Sequence, residues 1–417
     1  MATNTPQSGD GYIAVRKSEL AAAIAEDVGA DGAALGDVLR LLGALLHHEA
    51  HERLEALKTL YDPLDPDAPP ARRDASTAAF ERFSQAFTEE LARANYVEID
   101  PDTVQTREAT KLLTGLSIKP SNAGIRRIRY FARGARPETV KHRALLGLVR
   151  KDVDADIMAD VVVLVGFKSE EDIGRGDRRV FAEMRRGVRP GAAIVKHFRN
   201  VASPELVTLH PGAKPSMRPR DQVFLAAPAV ATGVPVLLNL WPALTVLFAV
   251  LAAFFGAQGV IEDDELKRAL AALSGLIAVG AFVMRQKLKY EAQSLRYQKR
   301  LADTVYFRNL ANNAGVLDQL IGAGEEQDCK EAFLAYWALQ RGARPLARQE
   351  IDAAAEAFLR ERFGLSVNFE IQDAMAKLER LQLVTSSGET YQALPPSEAL
   401  TRLDAAWDGV FNFSARR

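Results

Sequence analysis

Three histidines and two glutamates lie close together at residues 47–52, where the sequence reads HHEAHE. His47 and His51 are four residues apart, so on a helix they share one face and both could ligate a metal ion. Helical zinc hydrolases use the order H-E-x-x-H, which places two histidines and a base around the metal. This stretch has H-E-x-H instead, and a third ligand would have to come from elsewhere. The pattern favours a solvated polar helix face, with His47 and His51 as weak metal-binding candidates.

The rest of the sequence offers no compact catalytic motif. The stretch GFKSEEDIGRGD at 166–177 lacks the spacing of a phosphate-binding loop, and a G-x-S-x-G nucleophile elbow is missing. His142, His197 and His210 are isolated from one another in sequence, and the single cysteine, Cys329, excludes an intramolecular disulfide framework. We predict no catalytic residue, no bound metal and no cofactor. Catalysis by residues that meet only in space stays open.

Residues 119–200 are locally basic in a chain whose net charge is only -1. They hold 19 Lys and Arg against 10 Asp and Glu. Three stretches here, IRRIRYFARG, ADVVVLVGF and AAIVKHF, are rich in β-branched and aromatic residues and predict strands. The positive charge would suit anionic lipid headgroups. Solvated charge without a partner is the leading interpretation, ahead of lipid, and nucleic acid is the least favoured of the three.

The most distinctive feature is a pair of uncharged segments that predict a transmembrane hairpin. Residues 222–261 contain no Asp, Glu, Lys or Arg, and within them 236–256 exceeds the ~20 apolar residues that a spanning helix needs. The second segment, 269–284, is short, so we expect flanking cations to reach the headgroups. The alternative is a buried helical pair in a globular core. The predicted headgroup contacts are Arg268, Arg285, Lys287 and Lys289.

The charges around this hairpin predict its orientation. Residues 285–308 carry seven Lys and Arg against two acids, while the loop at 262–265 is entirely acidic. Basic flanks face the cytoplasm, so both termini should be cytoplasmic. The Ala- and Arg-rich composition indicates a bacterial protein, and the predicted location is therefore the inner membrane. Small residues on both helices suit packing of the pair, or of a homo-oligomer. The spans lack ionisable residues, which argues against an ion pathway.

These segments divide the chain into five predicted regions. The fold class is an α+β membrane protein, mainly helical, with a small mixed sheet, the two-helix hairpin and a C-terminal winged-helix-like domain. The helix that would enter DNA carries Glu370, Asp373 and Glu379 against Lys377 and Arg380, and this negative balance disfavours nucleic acid. The regions are 1–96 (N-terminal, helical), 97–226 (basic α+β domain), 227–285 (hairpin), 286–324 (membrane-exit helix) and 325–417 (winged-helix-like domain).

Residues 306–339, YFRNLANNAGVLDQLIGAGEEQDCKEAFLAYWAL, resemble the signature stretch of the transmembrane protein 143-like family. The segments 197–225 and 350–384 and the hairpin are similar to that family in order and place. The family has an Ile-Pro pair and a second acid where this chain has Val201-Ala202 and Val207. The resemblance implies a membrane domain of unknown function, and the family has no established activity to transfer to this chain. The residues that match the signature are Tyr306, Asn309, Asn312, Gly315, Lys330, Glu331 and Tyr336.

The sequence therefore predicts an interaction protein more than an enzyme. The leading hypothesis is a two-pass, membrane-anchored scaffold or adaptor that contacts anionic lipid or a protein partner at the cytoplasmic face. The main alternative is a membrane-bound enzyme acting on a lipid or another membrane-associated substrate. An oligomeric channel and a membrane-tethered DNA-binding regulator are less favoured.

Overall fold

The computed structural model describes residues 11–100, 117–144, 149–185, 188–216, 263–342 and 344–411, together with residues 104, 245, 248 and 252. The chain forms two compact units. The first unit contains residues 1–109, 122–212 and 307–417, and the second contains 110–121 and 213–306.

The first unit begins with three helices, α1 (Lys17–Val28), α2 (Gly32–Tyr61) and α3 (Thr77–Arg93). In α2 the buried residues recur three or four positions apart, at Leu35, Val38, Leu39 and Leu42, so one face of the helix enters the core. Helix α3 begins at an N-cap, where the Ser76 hydroxyl accepts a hydrogen bond from the Ala79 amide at 3.1 Å.

A five-stranded sheet follows, and α3 packs against it. Its strands are β1 (Val97–Ile99), β3 (Ile125–Ala144), β4 (Val149–Phe167), β5 (Ala193–Ala202) and β7 (Asn309–Asn312), in the order β1-β3-β4-β5-β7. All neighbouring pairs are antiparallel, so the prediction of a mixed sheet was wrong. Long β-branched runs in β3, β4 and β5 suit such a sheet because alternate side chains pack on its two faces. A short helix, α4 (Arg178–Arg185), lies between β4 and β5.

The central element of the first unit is α6 (Ala314–Arg341). Every residue from Gln327 to Leu339 in this helix is buried. The first half of α6 packs with α3 and one face of the sheet, and the second half packs with α1 and the C-terminal helices. In a helix that is buried all round, polar side chains need hydrogen-bond or ion-pair partners within the protein, and this applies to the charged residues of α6.

The C-terminal region contains α7 (Arg348–Phe363), α8 (Ile371–Arg380) and α9 (Pro396–Gly409). Gly364 ends α7 with φ at +68°, a conformation that favours glycine. A three-stranded antiparallel sheet completes the region. Its strands are β8 (Leu346–Ala347), β9 (Val384–Ser387) and β10 (Thr390–Ala393), with β10 in the centre.

In the second unit, β2 (Ser117–Lys119) pairs antiparallel with β6 (Lys214–Ser216). The long helix α5 (Asp263–Arg308) has 46 residues and lies mostly in this unit. Exposed apolar side chains recur along α5 seven positions apart, at Leu270, Ile277 and Met284.

The membrane assignment is corrected by the helices of this structure. Across the described ranges, no helix combines the length and the apolar character needed to cross a bilayer. The second predicted span, 269–284, is part of α5, and its 16 uncharged residues fall short of the ~20 that a bilayer requires before the helix continues into charged sequence. The first predicted span, 236–256, lies outside the described residues except at three isolated positions.

Three predictions depended on that hairpin and are therefore wrong. They are the fold class of an α+β membrane protein, the multi-pass membrane character, and the location in a bacterial inner membrane with both termini cytoplasmic. The headgroup-contact residues were chosen from the same hairpin. Arg285, Lys287 and Lys289 are exposed on α5, and Lys287 lies 3.9 Å from Glu291 in an ion pair within the helix. Arg268 lies in the same helix.

Candidate functional site

Most residues of the signature stretch 306–339 lie in β7 and α6. Asn309 and Asn312 are in β7, the edge strand that pairs with β5, and Gly315 is in the first turn of α6. The Tyr336 hydroxyl donates to the Leu394 carbonyl at 2.8 Å, which joins α6 to the segment after β10. Tyr306 is exposed near the end of α5. In the residues described, these contacts build the fold around α6 and do not converge on a cleft.

Lys330 holds the N-terminal segment against α6. Its ammonium donates to the carbonyls of Ile13 at 2.7 Å and Val15 at 3.1 Å. Burial lowers the pKa of Lys330 from 10.5 to about 8. The two carbonyls supply the polar partners that a buried ammonium needs, so this lysine has a structural role.

The neighbouring Glu331 belongs to a second group, which we call the Lys377 cluster. It contains the buried Lys377, Asp328 and Glu331 and the partly exposed Asp373. The Lys377 ammonium lies 2.7 Å from Asp328, 2.5 Å from Asp373 and 3.4 Å from Glu331. Burial alone would lower the pKa of Lys377, but these carboxylates raise it above its ordinary value. The cluster joins α6 to α8.

Charge balance in the Lys377 cluster depends on a proton. Burial raises the pKa of Glu331 from 4.5 to about 8, so this carboxyl is largely protonated at neutral pH. Asp328 receives a second cation, because Arg53 of α2 donates to its other oxygen at 3.2 Å. The negative charges of Asp328 and Asp373 are then balanced by the positive charges of Lys377 and Arg53.

The three carboxylates of this cluster also have the spacing of metal ligands. One oxygen from each of Asp328, Glu331 and Asp373 lies within 4.8 Å of the others. The ammonium of Lys377, however, already contacts all three and takes the position of a cation. The residues present fit an internal lysine better than a metal ion.

The histidines proposed as metal ligands are not part of this group. Nδ1 of His47 lies 2.7 Å from Oε2 of Glu325, and His51 is exposed on α2. Among the residues described here, the group of three potential ligands contains neither histidine. The metal-site pattern on α2 therefore has no third ligand in this part of the chain.

A third polar group, the Asp160 cluster, was not found from the sequence. It contains Asp160, His197, Arg133, Tyr96 and Gln319. The Arg133 guanidinium donates to one Asp160 oxygen at 3.1 and 3.0 Å, and Nε2 of His197 lies 3.1 Å from the other. Nδ1 of His197 lies 2.9 Å from the Gln319 amide oxygen. Tyr96 stacks near Arg133, with its ring centre 4.6 Å from the guanidinium.

A histidine paired with a carboxylate can act as a general base, so access decides the role of this cluster. Asp160 and His197 are only 3% and 6% exposed. Although burial opposes ionisation, the hydrogen bond from His197 and the charge of Arg133 lower the pKa of Asp160 from 3.8 to about 2. Each ring nitrogen of His197 already has a partner, and neither surface opening described below includes these residues. The cluster fixes the sheet to α6.

The described residues of the first unit form openings at the surface, including one beside Trp337 and another beside Arg189. The Trp337 groove, of about 700 Å³, lies where α1, α6 and α7 meet. The rings of Trp337 and Phe358 pack at 4.5 Å between centres, and the Trp337 indole donates to Asp27 at 3.0 Å. Arg341 lies 5.6 Å above the Trp337 ring. The groove is lined by Asp27, Trp337, Ala338, Arg341, Gly342, Leu346, Glu350, Ala354, Ala357, Phe358, Glu361 and Arg362.

The second opening, the Arg189 opening, has a volume of about 600 Å³ and lies at the start of α3. Four segments form it, namely the loop before α3 with the first residue of that helix, the start of β3, the turn after β4 and the loop before β5. Its lining is polar and contains three arginines. The lining residues are Arg73, Ala75, Ser76, Thr77, Arg126, Ser169, Glu170, Glu171, Asp172, Arg189 and Pro190.

Helix α8 corresponds to the helix that the sequence singled out for DNA. Its Lys377 is buried in the Lys377 cluster, and its Arg380 forms a two-bond ion pair with Glu49 of α2 at 2.5 and 2.9 Å. Both cations therefore form ion pairs with carboxylates of the same chain.

The described residues define a mainly helical α+β protein with an antiparallel sheet, a helix-centred core and openings on its surface. Residues 159–315 match the model of a family described as a protein of unknown function (DUF3754). The match covers less than half of the chain and includes Asp160, His197, Asn309 and Asn312. No solved structure matches this chain. The resemblance to the transmembrane protein 143-like family stays a prediction.

Proposed function

We propose that this protein is an adaptor that binds a segment of a protein partner in the Trp337 groove. The observation that carries this proposal is the groove itself, an open cleft with an aromatic floor. Its volume of about 700 Å³ lies within the range of ~300–1,000 Å³ that is typical of binding pockets.

The lining of the groove has the anatomy of a protein interface. Leu346, Ala354 and Ala357 supply an apolar surface above the buried rings of Trp337 and Phe358, while Asp27 and Arg341 stand at the rim. Protein interfaces likewise combine an apolar centre with a polar rim. Because the rim carries both signs of charge, the matching partner is an amphipathic segment with large apolar side chains flanked by acidic and basic residues.

The buried clusters support an adaptor more than an enzyme. Glu331 and Asp160, the strongly perturbed carboxyls of the Lys377 and Asp160 clusters, are only 2% and 3% exposed. Perturbed groups at a reaction site would have to reach a substrate. In the part of the chain described, neither the Trp337 groove nor the Arg189 opening is lined by these acids.

Site-specific photocrosslinking in the native host tests this proposal. A benzoylphenylalanine at Ala357, which lines the groove, is compared with one at Ala353, which is exposed on the same helix but outside the groove. We expect a discrete crosslinked partner from position 357 alone. The crosslinked segment is then made as a peptide and titrated into the full-length protein.

The titration decides the outcome. Ala357→Glu should weaken binding of that peptide at least ~tenfold, or ~1.4 kcal/mol, by placing a charge in the apolar groove, whereas Ala353→Glu should leave it unchanged. Equal crosslinking from both positions, or peptide binding that is insensitive to Ala357→Glu, would contradict the adaptor proposal.

A further inference from the structure

The Arg189 opening differs from the neighbouring surface in how its arginines are paired. On β3, Arg127 forms an ion pair with Glu81, Arg129 with Glu98, and the buried Arg133 with Asp160. Much of the basic charge noted in the sequence is therefore neutralised within the fold.

Arg73 and Arg189 are not neutralised in this way. Arg189 donates to the carbonyls of Pro63 at 2.6 Å and Asp65 at 3.1 Å, and Arg73 donates to the carbonyl of Ala68 at 2.8 Å. Among the described residues, neither guanidinium lies within ion-pair distance of a carboxylate. Partial burial and the nearby positive charge of Arg73 lower the pKa of Arg189. An anion between them would relieve this repulsion.

The surrounding backbone holds the cations in place before any ligand arrives. The Arg126 guanidinium donates to the carbonyls of Ala75 at 3.1 Å and Ser76 at 3.3 Å. Gly191 has φ at +74°, and a Cβ there would stand 2.3 Å from the Cβ of Ala75, so the loop after Arg189 packs tightly on this segment. The opening also borders the N-terminus of α3, whose dipole adds positive potential.

The acids of the opening limit what can enter. Glu170 and Glu171 are exposed at the same opening, and Asp172 lies 3.8 Å from Arg126 and accepts a hydrogen bond from Ser169. A polyanion such as nucleic acid would meet these carboxylates along its length. A small molecule could instead place a phosphate against the arginines and a cationic group against the glutamates.

We propose that the Arg189 opening binds a small phosphomonoester that also carries an ammonium group. Arg73, Arg126 and Arg189 contact its phosphate, with Ser76 and Thr77 as hydroxyl donors. Arginine suits this role because its planar donors match phosphate oxygens in pairs. Glu170 and Glu171 face the ammonium end.

Calorimetric titration of the full-length protein tests the site, with phosphoethanolamine and inorganic phosphate as the probes. Sodium chloride at matched ionic strength provides the baseline, because general screening also responds to salt. We expect saturable binding of both probes, with phosphoethanolamine the tighter. If inorganic phosphate binds as tightly as phosphoethanolamine, the ammonium end of the proposal is overturned. If neither probe shows saturable binding, the whole site is overturned.

Variants separate this site from general charge. Arg73→Gln should weaken phosphoethanolamine binding at least ~tenfold through loss of a charge-assisted contact. The matched control is Arg72→Gln, because Arg72 is adjacent, exposed and paired with Asp62 at 3.0 Å. Inorganic phosphate should bind more tightly to Glu171→Gln than to the native protein, because one repulsive charge is removed. Equal binding by the Arg73 and Arg72 variants would refute the assignment. These outcomes do not depend on the Trp337 groove.

Discussion

The Lys377 ammonium lies 2.7 Å from Oδ1 of Asp328, so a cation of α8 is buried against a carboxylate of α6. Both side chains are less than a tenth exposed. Removing charges from water costs several kcal/mol per ion, and the cost is recovered only when each charge keeps its partners. The pair therefore fixes how α8 packs on α6, and the same logic applies to each buried charge in this fold.

Lys377→Met should destabilise the protein by ~3–5 kcal/mol, because it leaves Asp328 and Asp373 without their shared cation. Urea unfolding followed by circular dichroism measures the change. The control is Arg380→Gln on the same helix, whose exposed pair with Glu49 should contribute less than ~1 kcal/mol. Similar losses in the two variants would contradict the special role of Lys377.

Glu331 should make stability depend on pH between 4.5 and 8. Its folded pKa of about 8 exceeds its ordinary value of 4.5, so in this window the folded state keeps a proton that the unfolded state releases. The stabilisation that Glu331 contributes is therefore complete below pH 4.5 and is lost as pH rises towards 8, by up to ~1.4 kcal/mol per pH unit. Urea unfolding at several pH values should show stability falling across this window. Glu331→Gln should remove the part of the fall that comes from Glu331. An unchanged slope in the variant would show that Glu331 is not the group responsible.

The secondary structure of the first unit follows from local sequence more closely than its polar clusters do. The stretches IRRIRYFARG, ADVVVLVGF and AAIVKHF lie in β3, β4 and β5, where β-branched and aromatic residues suit a pleated surface. Likewise the apolar spacing of 34–61 places a long helix at α2. These signals are local, so they survive without knowledge of the tertiary fold.

The Asp160 cluster could not be found in the same way because it depends on strand register. Arg133 of β3 is paired with Asp160 of β4, and His197 of β5 is paired with Val162 of β4. A shift of one residue would turn these side chains to the opposite face. The sequence shows a carboxylate within an apolar run but does not specify the register, and His197 remains an isolated histidine until β4 and β5 are paired.

The membrane prediction failed for a different reason. It was based on the absence of charge, which marks an apolar segment but does not give the bounds of the helix that contains it. The segment 269–284 is embedded in α5, which begins at Asp263 and continues through Arg285 to Arg308. Absence of charge over 16 residues is therefore compatible with a long helix of mixed composition.

Asp160→Asn should destabilise the protein by ~3–5 kcal/mol, because Arg133 would remain buried without a carboxylate. Arg136→Gln is the control on the same strand, since Arg136 is exposed and lies 3.7 Å from Glu138. Thermal and urea unfolding should show a loss of less than ~1 kcal/mol in that variant.

The same carboxylate gives a second, independent test in acid. The folded pKa of Asp160, about 2, lies below its ordinary value of 3.8, so its stabilisation is fully present above 3.8 and is lost as pH falls towards 2. The stability difference between native protein and Asp160→Asn should shrink across that interval. A constant difference would indicate that the charge of Asp160 is not what stabilises the cluster.

Gly191→Ala should damage the Arg189 opening through the backbone. An alanine would be held at φ +74°, and its Cβ would stand 2.3 Å from that of Ala75, closer than real atoms approach. The strain of the conformation alone is ~1–3 kcal/mol, so we expect a stability loss of at least that size in urea unfolding. Since relief requires the loop to move, Arg189 should shift and phosphoethanolamine binding should weaken as well. Gly174→Ala is the matched control because its Cβ would meet open space. If Gly191→Ala were as stable as Gly174→Ala, the close packing of this loop on the start of α3 would be refuted.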